Sequence, residues 1–400
     1  MQEINKKRFS WPLFLSPFIS RLGDGLYIFG LNWFIVKATG AAAQLGIVQG
    51  IGGLVLVLGD LFAGPLVDNY NRKWVMILSD LISAIACLIL ALLIDIRHPV
   101  FYQLILLTSI LDIGLAFNFP AAKAIIPELI KQSNLTRFNA WINTAFNFAD
   151  IFAPLLGGVL LTFKWLNFRA FLVINAGSFL LSLFLGLMLR YHFRGSQHKQ
   201  LSILTSLRDG INYCLQHTVL VQMIVVDGLL NIFYAALNLL MPYEVNHYFG
   251  GNEKLYSYAL SLMAIGGLVG GLSLAGQKRV LHMNSVYRDV ITFSCLLILS
   301  GLFVHYWVLL AAATVYGFFM SRLGVQMITL VQNETSVNYL GRVFAIWFLS
   351  VDALHPVGNF IFGFIIDWLK HQIFSLIGGL MLLLLLLVRR AFHVKQKKSR

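Results

Sequence analysis

Four aspartates stand inside stretches of chain that are otherwise apolar, each with neighbours suited to handling a proton. Asp24 follows Arg21 by three residues, one helical turn away on the same face. Asp227 leads a helical stripe of Asn231, Tyr234 and Asn238. Asp150 shares a stripe with Asn143, Asn147, Pro154 and Gly157, with Gly158 beside it, and Asp352 shares one with His355 and Asn359, with Pro356 between. A carboxylate at bilayer depth costs at least about 2.5–3.5 kcal/mol, so each needs a reason to be there. The chemistry these residues fit is reversible protonation: an acid beside a base (Asp24, Arg21), an acid with no cation near it in sequence (Asp227), and an acid one turn from an imidazole (Asp352, His355). Asp112 lies in mid-segment with no base between residues 100 and 121, and Asp60 lies near a segment end.

The pattern recurs. Asp24-Gly25-Leu26 is matched by Asp227-Gly228-Leu229, and Asp150 before Pro154 by Asp352 before Pro356, each about 200 positions later. Gly52-Gly53-Leu54-Val55 is matched in the same way by Gly266-Gly267-Leu268-Val269. A 400-residue chain that repeats itself at half its length, with acids inside apolar helices, is the layout of a two-half transporter whose sites lie near the bilayer midplane. The repeat predicts two symmetry-related acid pairs, Asp24 with Asp227 and Asp150 with Asp352.

The elements that must position these groups are membrane helices. The chain is 58% hydrophobic and 12% charged, with mean hydropathy +0.77. Twelve apolar segments can be marked, near 12–36, 44–67, 74–94, 100–121, 138–162, 167–190, 218–242, 255–276, 286–304, 306–328, 341–366 and 372–389. Each is long enough to cross about 30 Å of hydrocarbon. The first is too long for a signal peptide and is read as a spanning helix. The fold expected is all-α: twelve transmembrane helices in two pseudo-symmetric six-helix bundles, residues 1–190 and 218–400. A cytoplasmic linker, 191–217, joins them, and its later part forms an amphipathic helix with Leu204, Leu207, Ile211 and Leu215 on one stripe. With both termini inside, twenty-three Lys and Arg fall on the cytoplasmic side against six outside, Arg322 and Arg342 being counted among the inner ones. The net charge of +13 is thus topology, and nucleic acid is not an expected partner. Cys87, Cys214 and Cys295 have no pairing or metal spacing. No phosphate-binding Gly-x-x-x-x-Gly-Lys-(Ser/Thr) motif occurs, and no metal or nucleophile cluster suggests an enzyme. The expected energy source is an ion gradient, with no cofactor.

One loop is specific. Gly64-Pro-Leu-Val-Asp68-Asn-Tyr-Asn-Arg72-Lys73 resembles the Gly-x-x-x-Asp-(Arg/Lys)-x-Gly-(Arg/Lys)-(Arg/Lys) loop of the major facilitator superfamily, with Asn69 replacing a base and Asn71 the glycine. Pro154-Leu-Leu-Gly157-Gly158 resembles the Gly-Pro-x-x-Gly-Gly end of the fifth-helix motif of antiporters, with Ala153 in place of its glycine. With Arg21-Leu-Gly-Asp24-Gly and the linker Ser206 to His217, the whole chain resembles a twelve-helix drug:proton antiporter of the macrolide-efflux-like branch. The resemblance implies alternating access, export coupled to proton entry, and a cytoplasmic gate of Gly64, Asp68, Arg72 and Lys73. Proton coupling is assigned to Asp24, Arg21, Asp150, Asp227, Asp352 and His355. The substrate cavity is assigned Asn32, Asn143, Asn147, Asn231, Tyr234, Asn238 and Asn359, with kinks at Pro154, Gly157, Gly158 and Pro356. Aromatic walls with sparse polar groups suit amphipathic cations or macrolides. The expected setting is a monomer in a bacterial cell membrane. A siderophore or lipid exporter, a proton-coupled importer and a non-transporting sensor or scaffold are the alternatives.

Overall fold

The computed structural model describes residues 9–163, 166–191, 193, 203–275, 281–336 and 339–398. Among these every regular element is helical: α1 Trp11–Thr39, α2 Ala42–Asn69, α3 Arg72–Leu93, α4 Phe101–Leu129, α5 Gln132–Leu161 and α6 Phe168–Met188. After the short α7, Ile203–Gln216, come α8 Thr218–Tyr248, α9 Glu253–Ala275, α10 Met283–Ser300, α11 Tyr306–Glu334, α12 Leu340–Leu369, a 3-10 turn Lys370–Gln372 and α13 Ile373–Lys398. Among the described residues, nine stretches are long and apolar enough to cross a bilayer, the last of them, Leu340–Phe392, taking in α12 and α13. The two long helices outside that set, α1 and α10, hold Arg21 with Asp24 and Arg288 with Asp289.

Several helices outrun their apolar segments. Lys123 and Arg137 lie within α4 and α5 rather than in loops. A helix satisfies its own backbone, so it can continue past the hydrocarbon while polar side chains reach outward. The inside-out arrangement of α3 is typical of the fold. Ser79, Asp80, Ser83 and Cys87 are buried, while Leu78, Ile82, Ile85 and Ile89 are exposed, the surface a lipid tail would cover.

The chain divides into two compact units: residues 1–39 with 51–199, and 40–50 with 200–400. The division passes through α2, whose first turns cluster with the second unit. There the Asp367 carboxylate at the end of α12 accepts the backbone N–H groups of Ala42 (2.7 Å) and Ala43 (3.0 Å), neutralising the positive end of the α2 dipole. α7 also belongs to the second unit, against α12, rather than to a separate linker.

Inside each unit the sequence repeat is a packing repeat. In the first, α1 lies on α5 and α6, and α3 on α4 and α6; in the second, α8 lies on α12, and α10 on α11 and α13. Gly25 lets α1 approach α5, where a Cβ would stand 2.6 Å from the Ala153 Cβ. Its counterpart Gly228 does the same for α8, 2.7 Å from the Leu354 Cδ1. A Cβ at Gly52 would strike Asp112 on α4, and one at Gly266 would strike the Thr314 carbonyl on α11. Without a hydrophobic drive between helices in lipid, such close backbone approaches supply much of the association.

Candidate functional site

The first unit bonds Arg21 to Asp150 rather than to Asp24. The Arg21 Nε donates to Asp150 Oδ1 at 2.8 Å and a terminal nitrogen donates to Oδ2 at 3.3 Å, a two-pronged bond joining α1 to α5. Both side chains are about half exposed. Asp24, one turn along α1, lies beside the Asn175 side-chain amide of α6. Arg21 stays close to Asp24, while its hydrogen bonds go to the acid of α5. The guanidinium fork matches the carboxylate across the helix interface, which a neighbour on its own helix cannot present as squarely. One base lies between two acids, bonded to one and near the other.

In the second unit Asp227 is buried, and the Trp347 indole N–H of α12 donates to its Oδ2 at 2.8 Å. The residues of its stripe turn inward. Asn231 donates to the Asp227 carbonyl at 2.9 Å, and the Tyr316 hydroxyl of α11 donates to Asn238 Oδ1 at 3.0 Å. Tyr234 is buried against the Tyr316 ring, its own hydroxyl without a partner among the described residues. Asn359 is buried where Gly46 meets its backbone. Tyr234 and Asn359 are therefore buried in helix packing, and Asn238 is half-buried. Asp352 is exposed and His355 is half-buried, and no hydrogen bond joins them; His355 meets the Asn231 backbone instead. The expected acid–imidazole pair is thus not formed, since one turn of separation places two side chains on one face without aiming them at each other. Asn32 is half-buried and Asn143 is exposed, and the side chain of Asn147 lies outside the described residues. Pro154 and Pro356 sit inside continuous helices, with Gly157 seated on the Phe29 ring and Gly158 buried next to it.

Of the loop residues, Gly64 and Asp68 fall within the last turns of α2, and the surroundings of both lie outside the described residues. Asn71 caps α3 by accepting the Lys73 N–H at 3.1 Å. Lys73 donates to the Leu187 and Leu189 carbonyls at 2.9 and 2.7 Å, satisfying the end of α6. Arg72 pairs with Glu128 of α4, whose other oxygen accepts from the Tyr191 hydroxyl at 2.7 Å. Burial, then Glu128 beside it, pushes the Tyr191 phenol well above its usual range, so it remains a donor. The two bases therefore brace α3 against α4 and α6 within one unit.

Three buried acids escaped the sequence reading: Glu244 on α8, which pairs with His371, and Asp289 and Asp80. Asp289 on α10 accepts from Arg322 Nε (2.6 Å) and Gln326 Nε2 (2.6 Å), both on α11, and Arg322 also donates to Ser273 of α9 at 2.6 Å. Arg322, counted above as an inner loop base, is thus a buried ion-pair residue. Asp80 on α3 accepts from Asn118 Nδ2 of α4 (2.8 Å) and Ser182 Oγ of α6 (2.6 Å). Asp80 and Asp289 stand about 210 positions apart, close to the offsets of the repeat, which was the signal available for both.

With this geometry in view, comparison with known proteins is direct. The profile of the Major Facilitator Superfamily matches residues 13–286. The chain belongs to the major facilitator superfamily. It is 24% identical over 379 residues to macrolide efflux protein A of Streptococcus pyogenes, covering 92% of each chain. It is 24% identical over 360 residues to the multidrug efflux pump Tap of Mycolicibacterium fortuitum, covering 86% of each. The staphyloferrin A transporter of Staphylococcus aureus is 23% identical over 359 residues, covering 88% of each. The crystal structure of the nucleoside transporter NupG superposes with TM-score 0.72 at 14% identity, covering 95% of this chain and 98% of that one. The superfamily member described here is a multi-pass membrane transporter with relatives in drug efflux.

Proposed function

We propose that this transporter exports amphipathic drug-like compounds, macrolides or lipophilic cations, in exchange for protons. In this reading it works by alternating access of two six-helix halves, as a monomer in a bacterial cell membrane with both termini cytoplasmic. The observation that carries the reading is Arg21 held between two acids, bonded to Asp150 and near Asp24. A base that can leave one carboxylate for another makes the protonation of Asp24 depend on what else occupies the site. A cationic cargo entering beside Asp150 displaces Arg21 toward Asp24, which then releases its proton. Asp227, held by a neutral indole, is the second carboxylate of the cycle. The test uses inside-out vesicles with an acid interior. Erythromycin or tetraphenylphosphonium should dissipate the gradient in a manner abolished by Asp24→Asn or Asp227→Asn. Dissipation that survives both substitutions contradicts the assignment. A second reading, export of a siderophore, draws on the likeness to the staphyloferrin A transporter. It is favoured if neither compound moves protons and a carboxylate siderophore does.

A further inference from the structure

We propose that Asp80 is a second proton-carrying carboxylate of the first unit, linked to Asp24 by a polar stripe on α6; the inference rests on the proton-exchange reading.

Asp80 is 2% exposed on a helix whose outer face is wholly apolar. Among the described residues its oxygens meet only neutral groups, Asn118 at 2.8 Å and Ser182 at 2.6 Å, and Ser182 lies 2.8 Å from Ser16 of α1. The charged groups on the packed helices are otherwise engaged. Arg21 of α1 is bonded to Asp150, and Lys123 of α4 stands over the Phe119 ring at 4.4 Å. Arg169 at the start of α6 donates to the Ile94 carbonyl at 2.7 Å. Arg72 and Lys73, two turns earlier on α3, are held by Glu128 and the end of α6. Asp112 on α4 and Asp24 on α1 add only negative charge, and the face of α6 nearest Asp80 offers Ser182, Ser178 and Asn175. A buried carboxyl with neutral donors and no cation is stable as an acid and is a place to hold a proton.

The second unit supplies a contrast. Its counterpart acid, Asp289, has Arg322 and Gln326. A carboxylate kept for packing alone is served by that arrangement, and the first unit has Asn118 where the second has Arg322. The stripe is likewise one-sided. Asn175, Ser178 and Ser182 fall at spacings of three and four on α6, one face of a helix. Asn175 is fully buried beside Asp24, and Ser178 donates to the Asn175 carbonyl at 2.8 Å. The sixth helix of the second unit, α13, has only Ser375 before an apolar run to Val388. From Asn175 to Ser182 the stripe descends roughly 10 Å toward the end of the bundle where Arg72, Lys73, Glu128 and Tyr191 gather. Ser178 and Ser182 stand four residues apart, a rise of roughly 6 Å along α6.

The transfer balances with a single proton. The O–H bond of Asp24 breaks, leaving a carboxylate that the charge of Arg21 offsets. The proton reaches the Asp80 carboxylate and forms a carboxylic acid that donates to Ser182. Asp80 then loses it to water at the basic end and returns to carboxylate.

The test combines infrared pH titration of the purified full chain with vesicle transport. The wild type should show a carboxylic acid C=O band that Asp80→Asn removes, Ser182→Ala shifts and Asp24→Asn leaves in place. Identical bands in wild type and Asp80→Asn overturn the proposal. With erythromycin and tetraphenylphosphonium as probes, Asp80→Asn should slow probe-dependent proton movement by about a hundred-fold, and Asp80→Glu should restore part of it. Unchanged rates in Asp80→Asn overturn the proposal as well. If the wild type moves no proton with either probe, the exchange reading fails. The band then decides alone: its presence supports Asp80 as a proton holder, and its absence refutes it.

Discussion

Arg322→Met offers a sharp test of how the second unit is held together. The substitution removes the guanidinium that reaches Asp289 at 2.6 Å and Ser273 at 2.6 Å, and keeps most of the volume. Asp289 is then left 6% exposed with Gln326 as its remaining close donor. Arg288, 3.4 Å away, is mostly exposed and offers little in exchange. Removing one member of a buried pair costs about 3–5 kcal/mol, most of it from the stranded charge rather than the lost attraction. At about 2–4 °C per kcal/mol for a unit of this size, the midpoint should fall by on the order of 10 °C.

The decisive comparison is a double-mutant cycle. Asp289→Leu with Arg322→Met removes both charges together, leaving only Gln326 and Ser273 to find other partners. It should recover at least about 2 kcal/mol of the single-variant loss. The assay is size-exclusion of detergent-solubilised protein after stepwise heating, reading the fraction that stays monodisperse. If the double variant is as unstable as the sum of the two singles, the pair is not an energetic unit. The assignment of Arg322 to the interior of α11 then loses its physical basis.

Other consequences follow from the same geometry. Asp367→Ala deprives the Ala42 and Ala43 N–H groups of their acceptor and should cost about 0.5–2 kcal/mol; hydrogen exchange at those two amides should rise, and unchanged protection would refute the cap. Gly266→Val forces a side chain into the Thr314 carbonyl and should abolish recovery of monodisperse protein, whereas Gly177→Ala, with nothing within 4 Å, should be tolerated; equal yields would contradict the α9–α11 packing. Trp347→Phe leaves Asp227 without its indole donor, and should alter Asp227-dependent proton movement more than it alters folding; an unchanged vesicle response would remove Trp347 from the site. Asp68→Asn should impair transport while leaving cargo binding intact, as the resemblance of its loop implies, and lost binding in a folded variant would contradict a gating role.

What the sequence made legible was whatever depends on periodicity. Helix positions and the repeat follow from apolar spacing, and the paired glycines at Gly25 with Gly228 and Gly52 with Gly266 mark the same helix contacts in both units; the expected apolar stripe of α7 does not set its buried face, since Ile211 and Leu215 are exposed while Gly210 and Cys214 are buried. Partners were not legible, because spacing says which residues share a face and not which face meets which helix. Arg21 and Asp24 lie one turn apart, yet Arg21 bonds Asp150 across 129 positions. Asp352 and His355 likewise share a turn without bonding. The same blindness hid Asp80 and Asp289, whose partners lie on other helices. A single acid in an apolar segment reads as an isolated cost until α4 and α6, or α9 and α11, are brought to it. In a membrane helix this has a direct physical cause. Lipid rewards an apolar outer face, so polar groups collect inside, and their meaning resides in contacts between segments distant in the chain. The contrast between Asp80 with Asn118 and Asp289 with Arg322 exists only at that level. Two units built on one repeat have kept the buried acid and changed what neutralises it, and it is this change, rather than the acids themselves, that separates a group able to exchange a proton from one that holds three helices together.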